Sequence, residues 1–184
     1  MKATQALMDE HRVIERIILV LETAAQNLEQ GQPVRPGLFI EVTDFIKGFA
    51  DGCHHQKEEG ILFKSLEENG MPVQGSPIGV MLFEHEQSRQ FTRDLREAAQ
   101  RLEVGDKAMT SKVIENAVGY AALLRQHIMK EDQILFPIAD QMIPQEKHEQ
   151  IWDDFENFEH EETGEGVHEK YLALADRLTQ EVSL

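Results

Sequence analysis

Two ten-residue stretches hold the residues of this chain best suited to chemistry. Residues 54–63 read HHQKEEGILF and residues 127–136 read HIMKEDQILF. Laid over each other at a displacement of 73 residues, they pair His54 with His127, Glu58 with Glu131 and Glu59 with Asp132, and then repeat Ile-Leu-Phe. An earlier pair is duplicated too: Glu10-His11 stands 43 residues ahead of His54, and Glu84-His85 stands 42 ahead of His127, counted from His11 and His85. Residues four apart share one face of a helix, so His54/Glu58 and His127/Glu131 can each grip one ion. A histidine from a neighbouring helix completes a two-histidine, one-carboxylate set, which suits non-haem iron with open positions. Two such sets related by a pseudo-twofold axis would face each other, with Glu58 and Glu131 placed to bridge two metals. A single His/Glu pair at this spacing is usually a solvated helix face worth about 0.2–0.5 kcal/mol. A duplicated motif with a matching upstream histidine is poorly explained that way.

The elements that must carry these residues are helices. Residues 4–30 place Leu7, Ile14, Ile17, Ile18, Leu21 and Leu28 at a helical period, and Gly31, Pro33 and Pro36 end the run. A second helix is predicted over about 37–69, stopped by Asn69-Gly70 and Pro72. A third runs from Ser76-Pro77, a cap and first position, to about 103. A fourth covers about 108–140, with Pro137 bending or closing it, and Pro144 opens a shorter fifth. Gly164 and Gly166 separate that helix from a last one near 167–181. No sustained period-two alternation marks a strand. The expected fold is therefore all-α: an up-down-up-down four-helix bundle over residues 1–142 with a C-terminal helical extension, 143–184, packed on it.

Composition narrows the partners. Thirty-four acidic residues against 18 Lys+Arg give a formal charge of −16, which disfavours nucleic acid and anionic membranes. No run approaches the ~20 apolar residues of a membrane span. The opening MKATQALMDEHRVIER does not read as a signal peptide, and the single cysteine, Cys53, cannot form an internal disulfide. These features make the cytoplasm the expected location.

Glu10-His11, CHHQKEEGILF (53–63), FEHE (83–86) and HIMKEDQILFP (127–137) together resemble the hemerythrin-like, or HHE cation-binding, family over about residues 1–140. The resemblance implies a four-helix bundle holding two iron ions (Fe2+/Fe3+) joined by an oxo or hydroxo bridge. It makes His11, His54, His85 and His127 terminal ligands and Glu58 and Glu131 bridging carboxylates. It also implies a small ligand (O2, NO or a peroxide) in sensing, iron handling or oxidative-stress defence, with a protein electron donor as a possible partner. Oxygen-carrying members have a further histidine where this chain has Arg89, and a guanidinium is no ligand at neutral pH. This departure favours an iron-dependent role other than simple oxygen carriage.

The C-terminal stretch is the expected source of a replacement. His168, with Glu165 and Glu169 beside it, is a candidate extra metal ligand or site cap; His160 and His148 read as ordinary surface or packing residues. His55, adjacent to His54, points away from the ligand face of an α-helix and reads as a supporting or surface group. Cys53 also lies off that face. Tyr120 shares the face of His127, Glu10, Glu59, Glu84 and Asp132 either orient ligand histidines or meet solvent, and Lys57 and Lys130 read as solvent-side. Three alternatives stay open: a ferritin-like di-iron oxidase or iron store, an iron-responsive regulatory binding module, and a structural zinc bundle. The first wants paired ExxH motifs, and only Glu165-Gly-Val-His168 supplies one. The last is usually closed and four-coordinate.

Overall fold

The computed structural model describes residues 3–160 and 166–182, and every regular element among them is helical. The first rod is α1 (Ala3–Glu29), whose apolar stripe from Leu7 to Ala25 is buried. The second is continuous but changes pitch along its length. It comprises α2 (Pro36–Phe45), the π-helix π1 (Ile46–His55), a second π-helical turn π2 (Glu58–Leu62) and α3 (Phe63–Glu68). The third is α4 (Pro77–Glu103). The fourth joins α5 (Thr110–Lys130), π3 (Glu131–Leu135) and α6 (Phe136–Met142). The extension supplies α7 (Gln145–Phe158) and α8 (Val167–Val182).

Local chemistry sets these boundaries. Pro36 and Pro77 occupy first-turn positions, where a missing N–H costs nothing. Ser76 is the N-cap by backbone conformation, yet its hydroxyl bonds back to Val73 O instead of capping the helix. The αL glycines Gly31 and Gly70 let the chain turn after the first and second rods. Pro137 does not close the fourth rod, which runs on to Met142. It falls in the first turn of α6, directly after the π turn, where an interior helix bond has already been given up.

Around the bundle the order is α1, α5, α4, α2, each packed on the next, while α8 fills the seam between α1 and α2. Its Ala175 and Leu178 enter the main core beside Ile17, Leu21, Phe45 and Phe49. The fit is close: a Cβ on Gly48 would fall 1.8 Å from Tyr171 Oη, so π1 needs glycine there. The apolar interior is divided into two clusters. The larger runs from Ile14 through Phe49, Leu95 and Ile128; the smaller holds Leu7, Leu62, Phe63, Met81, Leu135, Phe136 and the α7 residues Ile151 and Phe155. Between them lies a layer of buried histidine and glutamate. No helix among the described residues is long and apolar enough to cross a membrane.

Candidate metal centre

All four rods contribute to the polar layer. α1 supplies His11, the second rod His54, His55 and Glu58, α4 His85, and the fourth rod His127 and Glu131; all seven are buried. Their donor atoms form two groups, each within 4.8 Å: His11, His54, Glu58 and Glu131 in one, His55, Glu58, His85 and His127 in the other. Glu58 belongs to both. Its Oε1 lies 3.5 Å from His54 Nε2 and its Oε2 3.4 Å from His85 Nε2. Glu131 spans the same gap, 3.2 Å from His11 Nε2, 3.3 Å from His127 Nε2 and 4.0 Å from His85 Nε2.

The inward atoms lack partners. His11 Nε2, His54 Nε2 and both oxygens of Glu58 and of Glu131 are buried without a hydrogen bond. Leaving such atoms unsatisfied in a protein interior is costly, of order 1–3 kcal/mol each. His85 and His127 point their Nε2 atoms at each other across 3.1 Å, aimed at the same place. A donor set of imidazole nitrogens and shared carboxylates converging on a buried centre fits divalent transition-metal ions.

Outward, the same histidines are held by carboxylates. Glu10 accepts from His54 Nδ1 at 2.8 Å and its twin Glu84 from His127 Nδ1 at 3.0 Å. Asp132 accepts from His11 Nδ1 at 2.6 Å and its twin Glu59 from His85 Nδ1 at 2.7 Å. Each bond fixes the tautomer so that Nε2 faces the centre. Every one of these carboxylates is in turn gripped by a cation: Glu10 by Lys57, Glu84 by Lys130, Asp132 by Arg12 and Glu59 by Arg89. Arg89 therefore braces a ligand from behind, and it also holds Asp51 at 2.7 Å. Phe136 stacks on His11 and Phe63 on His85, at centroid distances of 5.5 and 6.1 Å, so the Leu-Phe part of each motif walls the centre. The isoleucines do not: Ile61 packs at the edge of the smaller core cluster, and Ile134 is exposed.

The field inside is consistent with this geometry. Burial alone would raise the Glu58 carboxyl, but the surrounding imidazoles His54 and His85 hold it well below the usual range. Burial opposes charge on His11, yet the bond to Asp132 and the nearby Glu131 and Glu58 carboxylates outweigh it and lift the group to about 10; Glu58 and Glu59 lift His85 against burial to about 9. His55 behaves oppositely. Burial and the neighbouring His85 push it well below its ordinary value, so it is a neutral imidazole.

His55 departs furthest from the sequence expectation. It is buried, stacks on His85 at 3.8 Å, and joins the second donor group. The cause is the π-helix over Ile46–His55, whose wider turn brings adjacent His54 and His55 both to the interior. The doubled histidine was the available signal. Lys57 was also expected in solvent but is buried, its ammonium between Glu10 and Glu159 Oε1, the latter at 2.5 Å.

His168 is not brought to the seven-residue set. It lies with Glu10, Cys53 and Glu159, its Nδ1 3.6 Å from Glu159 and its ring edge-on to Phe49. The Lys57 ammonium already occupies the carboxylates of that cluster, which makes it a charge knot linking the extension to Glu10. Glu165 lies outside the described residues. His148 is buried, His160 is exposed, and Tyr120 is buried in the main core.

A four-helix bundle whose facing rods converge histidines and shared glutamates on a buried centre defines a metal-binding bundle of the His/Glu class. The chain belongs to the hemerythrin family: the hemerythrin HHE cation binding domain model matches residues 2–139. It is also similar to uncharacterised proteins of Mycobacterium bovis and of two Mycobacterium tuberculosis strains, 24% identical over 163 residues. The match covers 89% of this chain and 63% of each relative.

Proposed function

We propose that this chain holds two iron ions and binds O2, NO or a peroxide at them. The supporting observation is the set of five buried histidines and two buried glutamates, in which His11 Nε2, His54 Nε2 and the Glu58 and Glu131 oxygens have no hydrogen-bond partner. On this reading His11 and His54 hold one ion, His55, His85 and His127 hold the other, and Glu58 and Glu131 are shared. Bound iron would supply electrons and an open position for a small ligand. The chain does the rest. Carboxylates on Nδ1 orient the rings of His11, His54, His85 and His127 and raise their basicity, and such partners typically carry about 10–100-fold in metal affinity. The two phenylalanines and the flanking cores exclude water. His55 supplies the nitrogen that Arg89 withholds, so the donor count again suits reversible binding as well as redox use. The half with two histidines is where an outside ligand has room.

Anaerobic loading with Fe(II) followed by air oxidation tests this. Two irons per chain with the near-ultraviolet charge-transfer absorption of a bridged ferric pair are expected. A colourless protein retaining only zinc under the same treatment would overturn the reading. Rapid mixing of the reduced protein with O2, NO and H2O2 then separates the three ligands.

A further inference from the structure

The histidine–carboxylate clamps repeat between the two halves, but the outer surfaces differ. In the first half, α7 lies across α1 and π2. Its Ile151 and Phe155 are buried in the smaller core cluster, the Phe155 ring 5.6 Å from Lys57 Nζ, and Glu159 one turn further pairs with that ammonium. Ile61 is partly buried against the same cluster.

The corresponding seat in the second half is formed by the start of α4 and by π3. In the registers of the two motifs, Val80 stands where the first half has Ala6, Phe83 where it has Asp9, Ile134 where it has Ile61, and Lys130 where it has Lys57. No helix of the described residues lies across this seat. It is instead a groove of about 970 Å³ lined by Val80, Met81, Leu82, Phe83, Lys130 and Ile134. Phe83 is 65% exposed, Ile134 51% and Val80 46%. Where the covered half carries an exposed aspartate, the open half carries an exposed phenylalanine. Converging exposed apolar side chains around a groove mark an interaction surface. Lys130 adds charge: among the described residues it pairs with Glu84 alone, whereas Lys57 has both Glu10 and Glu159.

We propose that this groove docks an amphipathic helix of a partner protein. The helix would present two apolar residues one turn apart and a carboxylate one turn beyond, the pattern of Ile151, Phe155 and Glu159. The chain itself shows what such a seat accepts, because α7 fills its twin with that spacing, and the uncompensated side of Lys130 selects an acidic residue at the third position.

The test uses the full chain and a fluorescein-labelled peptide of residues 145–160 as probe. Saturable binding is expected, with amide shifts confined to Val80, Phe83, Lys130, Ile134 and their neighbours. Phe83→Asp in the chain, or Phe155→Ala or Glu159→Lys in the peptide, should each weaken binding about ten-fold. Phe83→Asp should leave the melting curve unchanged, since the side chain is mostly exposed. Shifts around Ile61 and Lys57, meaning that the peptide merely displaces α7, would overturn the proposal, as would absence of binding at millimolar peptide. Concentration-dependent dimers abolished by Phe83→Asp would overturn it too, by making the occupant a second copy of the chain.

Discussion

Metal loading should be a competition with protons, and the structure says with how many. In the metal-free chain His11 and His85 titrate at about 10 and about 9, so both are imidazolium at neutral pH. Each holds one proton on Nδ1 against Asp132 or Glu59 and the other on Nε2 toward Glu131 or Glu58. An ion can use Nε2 only after that second proton leaves. Loading at pH 7 should therefore expel two protons from this pair. The logarithm of the affinity should climb by about two per pH unit below pH 9, by about one between 9 and 10, and then level. From pH 6 to pH 8 the gain is about four decades, or about 5 kcal/mol. The assay is anaerobic Fe(II) titration by calorimetry in buffers of contrasting protonation enthalpy, which counts released protons directly. Asp132→Asn, which weakens the hold on the His11 proton, should bring the count toward one. A count near zero at pH 7, or an affinity flat from pH 6 to pH 8, would refute the argument.

The same raised groups act on the metal-free fold with the opposite sense. Their contribution is complete below the ordinary histidine value of 6.5 and is lost as pH rises through 9 and 10, so the metal-free melting temperature should fall from pH 7 to pH 10. Phe136→Ala removes a buried ring stacked on His11 and should cost about 3–5 kcal/mol in denaturant unfolding of the metal-free chain. Gly48→Ala forces Tyr171 aside and should destabilise by about 1–3 kcal/mol, with α8 becoming sensitive to limited proteolysis. Glu10→Gln and Glu84→Gln should each weaken metal binding about 10–100-fold, measured with a competing chelator. Glu10→Gln should also lower metal-free stability more, because it deprives the buried Lys57 of a carboxylate while Lys130 keeps access to water.

What could be read from the sequence follows a physical division. Bundle class, rod boundaries within one or two residues, and the paired histidines and glutamates all rest on local spacing, and α-helical spacing holds along α1 and α4 and from His127 to Glu131. His55 escaped because the helix beneath it is not α: the angle between neighbours that sends the next side chain away from a face fails in a π turn. Nothing as simple as a proline marks that stretch, although Gly48 and Gly52 lie inside it. Pro137 does not end the fourth rod for a related reason, since the rod spends its irregular turn on π3 and can then restart with proline in the first turn. Lys57 escaped for another. Its own neighbourhood in sequence is that of Lys130, and only α7, a hundred residues distant, decides that one is 1% exposed and the other 28%.

That last contrast bears on how a duplicated motif becomes an unequal site. The histidine–carboxylate clamps agree between halves to 0.2 Å or less: 2.8 against 3.0 Å, and 2.6 against 2.7 Å. The shared motif therefore makes the clamps alike, and the inequality comes from outside it. Two features supply it. The π-helix adds His55 to the group containing His85 and His127, and gives the group containing His11 and His54 no counterpart, because Ile128 stands at the twin position in the fourth rod. The extension then buries Lys57 and ties it through Glu10 to His54, while Lys130 and Glu84 behind His127 stay partly open to solvent. Under the function proposed, the extension fixes the His54 side of the two-histidine half, while the carboxylates behind His11 and His85 are 20% and 23% exposed. The extension thereby reaches His54 through Glu159, Lys57 and Glu10.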